Sequence, residues 1–358
     1  MKILQIIYSL CSGGAERFVV DLSNRLAENP DNEVILLAVN SLDNPESAHY
    51  LPDVCKKVKV RSLNGKGLMP SALWGIYKAI KDEKPDVVHL HSNLVLIYLP
   101  VLLGLRTKFV HTLHSLAHKC LAWGWCKPIN KGLYRNKVKA VTISQECHES
   151  FLTLYRNQYD TLITNGRDKI KTTAALPKVR KELNEILKLD TPVFINVARC
   201  DPAKNHPVLF ETFERLTAEG TNCQLLVVGA YHEANAEKYR NHPNIHIIGE
   251  RRNVADYLAC ADYFILSSSY EGLPLTLLEA MSMGCIPVCT PAGGIKNVIR
   301  NGENGFLANG FESEHLYVSI REALSRAVTI NRDAIIKEYE KNYSMKVCAE
   351  KYFQAYQS

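Results

Sequence analysis

The sequence lacks the features that mark zinc-binding, secreted or membrane-spanning proteins. Its 11 cysteines are an odd number and include no Cys-x-x-Cys pair, which supports neither a zinc site nor a disulfide framework and fits a reducing cytosol. The longest apolar run, residues 94–105, is only 12 residues long, so it is too short to span a membrane and predicts a buried helix. The apolar start is too short and too β-branched for a signal peptide. We therefore expect a cytoplasmic protein, or one that is peripheral on the cytoplasmic face of a membrane.

The chain also lacks the strong positive charge that is typical of nucleic-acid-binding domains. The net charge is +6 and the pI is about 8.6, without the dense basic stripe of a nucleic-acid-binding domain. Apolar residues make up 46% and charged residues 22% of the chain, which is typical of folded domains with large cores. A length of 358 residues favours two domains of ordinary size.

Short β-branched runs alternate with amphipathic helical stretches, such as residues 16–28 and 71–81. This alternation is typical of parallel sheets that are covered by helices on both faces. The alternation stops after the turn at 164–168. It is absent from the Lys/Arg-rich segment that follows, and it resumes near residue 193. The predicted strands are 3–8, 34–39, 58–61, 87–90, 109–113, 138–143 and 161–164, followed by 193–198, 224–229, 245–248, 263–266, 286–289 and 305–307.

This interruption of the strand–helix alternation predicts two doubly wound α/β domains that face each other across a cleft. The first spans residues 1–168, and residues 169–190 form an interdomain link with a helix. The second domain spans residues 191–340. A C-terminal helix, residues 341–358, is expected to pack back toward the first domain. In such sheets ligands bind beyond the carboxyl ends of the strands.

Two glutamates eight residues apart follow the predicted strand at 263–266. Glu271 lies in the strand-to-helix loop, and Glu279 is expected about two turns into the next helix, with Pro274 in its first turn. One carboxylate at the mouth of the crevice and one deeper would accept hydrogen bonds from two sets of hydroxyls on one ligand. A sugar and a ribose joined by a diphosphate fit that spacing.

Two cations follow the strand at 193–198. Arg199 and Lys204 lie in a loop before a helix, where a diphosphate would meet the guanidinium fork and the ammonium point charge. A solvated basic loop is the ordinary alternative, and strand-end placement in the crevice argues against it. Gly13 and Gly14 follow the first strand and open the first helix, where backbone N–H groups can approach a ligand closely.

These motifs together resemble the GT-B glycosyltransferases, specifically the large retaining family four. The matching stretches occur in order over essentially the whole chain, at residues 12–16, 164–168, 197–205, 270–284, and 291–299 with 304–307. Two positions depart from the family pattern. Lys296 and Asn297 stand where a glutamate is usual after the Gly-Gly pair, and Arg167 replaces a small apolar residue.

The resemblance implies two Rossmann-like domains and transfer of a hexosyl or N-acetylhexosaminyl group from a nucleoside-diphosphate donor, with UDP expected. Arg199 and Lys204 would neutralise the leaving diphosphate, Glu279 would accept from the ribose and Glu271 from the sugar. The implied catalytic residues are Arg199, Lys204, Glu271 and His114. The implied donor-binding residues are Gly13, Gly14, Arg199, Lys204, Glu271, Gly272, Leu273, Pro274, Leu275 and Glu279.

Four histidines lie near the ends of two strands of the first half, as His89, His91, His111 and His114. The resemblance places His114 against the donor sugar, in an orienting and electrostatic role. His89 and His91 have the spacing of one strand face. No third metal ligand is evident, so we predict that they line the cleft or contact the acceptor.

No cofactor or metal is expected, because the chain has no Asp-x-Asp sequence of the kind that metal-dependent GT-A transferases use. Two other functions remain open at this stage. One is a nucleotide-sugar epimerase of the same architecture, and the other is a non-catalytic subunit that binds a nucleotide-sugar.

The expected acceptor is a glycan or a lipid-linked intermediate, as in surface polysaccharide biosynthesis. Residues 115–140 contain six Lys or Arg, no acid, and Trp123 and Trp125, which suits contact with an anionic membrane. Residues 66–78 are a second candidate for that contact. An ordinary amphipathic helix after a cleft loop explains the pattern equally well.

Overall fold

The computed structural model describes residues 1–65, 70–156, 159–188, 190–230, 233–326 and 330–358. The chain forms two compact units. Unit 1 comprises Met1–Asp168 and Tyr343–Ser358, and unit 2 comprises Lys169–Asn342. Residues 66–69 of the basic segment predicted at 66–78 lie outside the described residues.

Unit 1 is built on a parallel sheet of seven strands, ordered β3-β2-β1-β4-β5-β6-β7. The five inner strands are buried on both faces, as in most parallel sheets, and contribute to the core of the unit, whereas the two edge strands are only partly buried. The strand order reverses between β1 and β4, which creates a topological switch point there. The strands are β1 (Lys2–Ile7), β2 (Glu33–Asn40), β3 (Val58–Gly65), β4 (Val87–Leu90), β5 (Lys108–Leu113), β6 (Val138–Thr142) and β7 (Asp160–Leu162).

The helices of unit 1 cover this sheet. The first helix begins at the predicted Gly-Gly pair and buries Phe18, Val19 and Leu22. The last helix of the chain belongs to this unit and packs against the first. The helices are α1 (Gly14–Leu26), α2 (Pro70–Glu83), α3 (Tyr98–Leu102), α4 (Cys126–Asn136), α5 (Gln145–Tyr155) and, after unit 2, α14 (Met345–Gln357).

The apolar run at 94–105 is not the single buried helix that we predicted. A 3₁₀ turn, Leu94–Ile97, precedes the short helix α3, and Leu102 and Leu103 are exposed. Pro100 explains the break, because its ring would clash with the carbonyl of residue 96 in a continuous α-helix.

Unit 2 repeats the architecture with a parallel sheet of six strands, ordered β10-β9-β8-β11-β12-β13. Its order reverses between β8 and β11. The strands are β8 (Val193–Val197), β9 (Gln224–Val228), β10 (Ile245–Gly249), β11 (Tyr263–Leu266), β12 (Ile286–Cys289) and β13 (Phe306–Leu307). The helices are α6 (Leu176–Ile186), α7 (His206–Ala218), α8 (Glu233–Lys238), α9 (Val254–Leu258), α10 (Leu275–Ser282), α11 (Ile295–Val298), α12 (Ser313–Arg326) and α13 (Arg332–Asn342).

Residues 169–190, predicted as an interdomain link, contribute to unit 2. Asp256 accepts hydrogen bonds from the backbone N–H of Thr173 at 2.7 Å and from its hydroxyl at 2.6 Å. Helix α6 buries Val179 and Leu183. Across the described ranges of the chain, no helix combines the length and the apolar character needed to cross a membrane.

Candidate active site

The predicted residues of unit 2 gather at its switch point. The loop after β8 carries Arg199 and a 3₁₀ turn, Pro202–Lys204, and the loop after β11 carries Glu271. Because β8 and β11 are neighbours in a parallel sheet, both loops leave the same edge. Ser267 donates its hydroxyl to the carbonyl of Lys204 at 2.8 Å, and the Ser269 N–H donates to the carbonyl of Ala203 at 2.8 Å. The two loops therefore form one surface.

An ion pair joins the two predicted motifs. The Lys204 ammonium donates to Glu271 Oε1 at 2.6 Å, and the Ser268 hydroxyl donates to the same oxygen at 2.7 Å. Glu271 is only 9% exposed and Lys204 23% exposed. A charge pair with an additional hydrogen bond in a partly buried position holds both side chains in one geometry. The structure thus brings together two residues that are 67 positions apart in sequence.

Arg199 lies at the end of β8 with its side chain exposed. No hydrogen bond or ion pair ties its guanidinium to any residue that the structure describes, so all five N–H donors are available to an anion.

Glu279 is half-buried in α10, among the buried residues Leu277, Leu278 and Ala280. It lies less deep in this helix than the two turns that we predicted. Helix α10 begins at Leu275, after Pro274 as its N-cap residue, so Glu279 is the fifth helical residue. Leu273, Pro274 and Leu275, which we predicted to bind the donor, are buried, and Gly272 is half-buried.

A third loop, after β12, packs against the loop that carries Glu271. Gly293 has φ +53°, and a Cβ there would lie 2.0 Å from the carbonyl oxygen of Glu271. The N–H of Gly294 donates to the carbonyl of Gly272 at 2.6 Å, and the Thr290 hydroxyl donates to that of Ser268 at 2.6 Å. Gly293 is therefore required by close backbone approach and by its left-handed φ. The family resemblance marked this stretch as a motif but did not predict that role for Gly293.

In unit 1 the glycine pair stands at the amino end of α1, with Gly13 as N-cap and Gly14 as the first helical residue. A Cβ on Gly13 would lie 2.2 Å from the Glu16 carboxylate, whereas one on Gly14 would meet no atom within 4 Å. Gly14 is exposed, and none of the described residues of unit 1 requires a glycine at this position.

His114 follows β5 and is half-buried. Its ring meets Phe18 of α1 edge-on at a centroid distance of 5.4 Å, and its Nε2 lies 3.1 Å from His91 Nδ1. Burial, together with the neighbouring His111, lowers the pKa of His114 to about 3, so the imidazole is neutral near pH 7.

His89 and His91 are buried inside unit 1, which corrects the prediction that both line a cleft or contact an acceptor. The two ring nitrogens of His89 lie 2.6 Å from the Tyr356 hydroxyl and 2.8 Å from that of Thr112. Those of His91 lie 3.1 Å from His114 Nε2 and 2.6 Å from Gln5 Oε1. All four nitrogens are engaged within the protein, so this pair has a hydrogen-bonding role.

Arg167, one of the departures from the family pattern, has a structural explanation. Its buried guanidinium pairs with Asp21 of α1, and the other oxygen of Asp21 lies 2.7 Å from Arg17. Its backbone N–H donates to the carbonyl of Tyr343 at 3.0 Å. Arg167 therefore ties the 164–168 turn to α1 and to the segment before α14.

Two family models match the chain, one to each half. Residues 12–169 match the model described as Glycosyltransferase Family 4, and residues 179–342 match that described as Glycosyl transferases group 1. Together they take in most of the sequence. The chain belongs to the GT-B glycosyltransferases of family four.

Relatives of this glycosyltransferase agree with that assignment. The UDP-Gal:alpha-D-GlcNAc-diphosphoundecaprenol alpha-1,3-galactosyltransferase of Escherichia coli is 26% identical over 325 residues, which are 86% of this chain and 80% of the relative. These family models and this relative are glycosyltransferases, so the epimerase alternative is not favoured.

Solved structures confirm the predicted GT-B fold. A glycosyltransferase from Rickettsia africae superposes with a TM-score of 0.83 at 20% identity, covering 99% of this chain and 97% of that one. Anabaena Alr3699/HepE, crystallised with UDP and glucose, superposes with a TM-score of 0.80 at 17% identity, covering 100% of both chains.

Proposed function

We propose that this glycosyltransferase moves a hexosyl or N-acetylhexosaminyl group, with retention, from a UDP-linked donor to a glycan or lipid-linked acceptor in surface polysaccharide biosynthesis. The observation that carries the proposal is the Lys204–Glu271 ion pair beside the unpaired Arg199 at the switch point of unit 2. The E. coli relative is named for UDP-Gal and a diphosphoundecaprenol-linked sugar, which supports both the nucleotide and the acceptor class.

In the proposed complex each charged residue takes a separate part of the donor. An ammonium has three N–H donors, so Lys204 keeps two for phosphate oxygens while it holds Glu271. Lys204 and Ser268 both bind Glu271 Oε1, which leaves Oε2 to accept from a sugar hydroxyl. Arg199 provides a planar fork for the diphosphate. Glu279, one turn into α10, accepts from the ribose hydroxyls.

The proposed chemical step takes place on one face of the donor sugar. The C1–oxygen bond to the diphosphate breaks and its electron pair leaves with the phosphate. The acceptor oxygen then forms the new bond to C1 from the same side, and its proton passes to the departing phosphate oxygen. The motifs of the first domain offer no carboxylate suited to act as nucleophile or base. Arg199 and Lys204 stabilise the charge that grows on the leaving group, so no divalent ion is needed.

We also propose that unit 1 contacts the cytoplasmic face of an anionic membrane. Trp123 and Trp125 are exposed and stack on each other with ring centroids 5.5 Å apart. Lys127, Lys131 and Arg135 recur every four residues on α4 and are exposed, so they form one cationic stripe next to the tryptophans. Exposed indoles beside lysines suit the headgroup region of an anionic bilayer.

Donor, acceptor class and metal requirement can be tested in one assay. Release of nucleotide would be measured for UDP-glucose, UDP-galactose and UDP-N-acetylglucosamine with undecaprenyl-diphosphate-linked N-acetylglucosamine, with and without EDTA. We expect acceptor-dependent turnover of one UDP-sugar at a rate that EDTA does not change. Complete loss of turnover on chelation, restored by Mg²⁺ or Mn²⁺, would contradict the metal-independent step.

A further inference from the structure

A chain of buried hydrogen bonds runs across three neighbouring strands of unit 1 and ends at His114. Gln5 is fully buried in β1, His91 follows β4, and His114 follows β5. Gln5 Oε1 lies 2.6 Å from His91 Nε2, and His91 Nδ1 lies 3.1 Å from His114 Nε2. The strands are adjacent in the order β1-β4-β5, so the sheet itself aligns the three side chains.

The direction of these hydrogen bonds follows from the chemistry of the groups. A carboxamide oxygen only accepts, so His91 carries its proton on Nε2. Burial lowers the pKa of His91 well below its usual value, so the ring is neutral and its Nδ1 is an acceptor. His114 must then donate from Nε2. Because His114 is neutral as well, its Nδ1 carries a lone pair and no proton.

The carboxamide of Gln5 is also hydrogen-bonded at its other end. Gln5 Nε2 donates to the Tyr356 hydroxyl of α14 at 3.3 Å, and that hydroxyl donates onward to His89 Nδ1 at 2.6 Å. His89 Nε2 then donates to Thr112 Oγ1 at 2.8 Å. A reversed carboxamide would reverse every one of these bonds and would move the proton of His114 to Nδ1. The orientation of one amide therefore selects the tautomer of His114.

We propose that Gln5 and His91 are positioning residues that fix His114 as the Nε2–H tautomer, so that its Nδ1 accepts a hydrogen bond from a substrate hydroxyl. Nδ1 has no hydrogen-bond partner in the described part of the chain, and the ring is half-buried, held edge-on by Phe18. The part that concerns substrate rests on the proposed function. The tautomer does not, because it is a property of the free protein.

The first experiment uses the wild-type protein without substrate. Histidine is labelled with ¹⁵N, and the resonances of His114 are assigned by their absence from the spectrum of His114→Gln. Long-range ¹H–¹⁵N correlation then shows which ring nitrogen carries the proton. We expect a protonated Nε2 and an unprotonated Nδ1. A protonated Nδ1 would overturn the proposal, whatever the enzymatic activity.

The second experiment removes the Gln5 carboxamide, which selects the tautomer of His114. Gln5→Met keeps volume and neutrality and deletes the acceptor, so we expect a mixture of His114 tautomers and a fall in kcat of about 10–100-fold, as for other residues that orient a functional histidine. Gln5→Glu keeps an acceptor toward His91 and should restore the Nε2–H tautomer. Tyr134→Phe is the matched control. It deletes a buried hydroxyl 2.7 Å from the neighbouring His111 Nδ1, outside the chain of bonds, and should leave His114 unchanged.

The outcomes separate the two parts of the inference. A Gln5→Met protein with the wild-type His114 spectrum would overturn the positioning role. A changed tautomer with unchanged kcat would leave the hydrogen-bond chain standing and would contradict the contact between Nδ1 and substrate. If Gln5→Met does not fold, the wild-type spectrum still decides the tautomer.

Discussion

At the scale of single residues, the proposed donor site depends on charged side chains that are far apart in the sequence. Arg199, Lys204 and Glu271 were predicted from two motifs, because each follows a strand of a parallel sheet and such strand ends converge. The structure joins Lys204 to Glu271 at 2.6 Å. Spacing alone did not predict that pairing, because it depends on β8 and β11 being neighbours.

Lys204→Ala tests whether this ammonium acts on the leaving group. Charge on the diphosphate peaks in the transition state, so we expect kcat to fall by about 10²–10³-fold while the donor KM changes by only a few-fold. Lys178→Ala, at an exposed lysine of α6, is the control and should match wild type. A variant with normal kcat and a raised KM would make Lys204 a binding residue only.

Three further contacts were not predicted from the sequence. Ser268, which donates to Glu271, is one of three consecutive serines with nothing in the sequence to distinguish it. Gln5 meets His91 across 86 residues of chain. Arg167 was noted as a departure from the family pattern, but its partner Asp21 lies on a helix 146 positions earlier.

At the scale of elements, alternating β-branched and amphipathic runs predicted the strands well, because buried parallel strands need continuous apolar stretches. The segment 94–105 failed because one proline divides it into a 3₁₀ turn and a short helix. The start of α10 was placed too early, since Pro274 suits both the N-cap and the first turn, so Glu279 lies less deep in the helix than predicted.

Gly293→Ala tests whether the loop after β12 holds Glu271 in place. The new Cβ would lie 2.0 Å from the carbonyl of Glu271, so the loop must shift, and we expect at least a tenfold loss of kcat/KM together with a lower Tm. Gly220→Ala is the matched control. It also has a left-handed φ, +71°, but its Cβ would meet nothing within 4 Å. It should cost about 1 kcal/mol of stability and no activity. Equal effects of the two changes would contradict the supporting role.

At the scale of the whole molecule, the chain contains two parallel sheets whose strand orders reverse at a central pair, β1 with β4 and β8 with β11. The sequence rhythm predicted two doubly wound sheets, but not the order of strands within them, since order depends on which crossovers pack. In each unit the loops that leave the central pair carry motif residues. These are Gly13 in unit 1, and Lys204 and Glu271 in unit 2.

Membrane contact by unit 1 predicts a specific dependence on lipid charge. Vesicles that contain phosphatidylglycerol should sediment the protein and blue-shift its tryptophan emission, whereas pure phosphatidylcholine vesicles should do neither. Trp123→Ser with Trp125→Ser should abolish sedimentation. Trp74→Ser, at an exposed tryptophan on α2, is the control and should leave it intact. Equal binding to neutral vesicles, or no binding at all, would contradict the proposed contact.

The anomeric configuration of the product is the sharpest test of same-face transfer. With an α-linked UDP-sugar and a lipid-linked acceptor, the anomeric coupling in the NMR spectrum of the purified product shows the new linkage without further assumptions. We expect an α-linkage, because the acceptor attacks from the face that the diphosphate leaves while Arg199 and Lys204 hold it. A β-linkage would contradict same-face transfer.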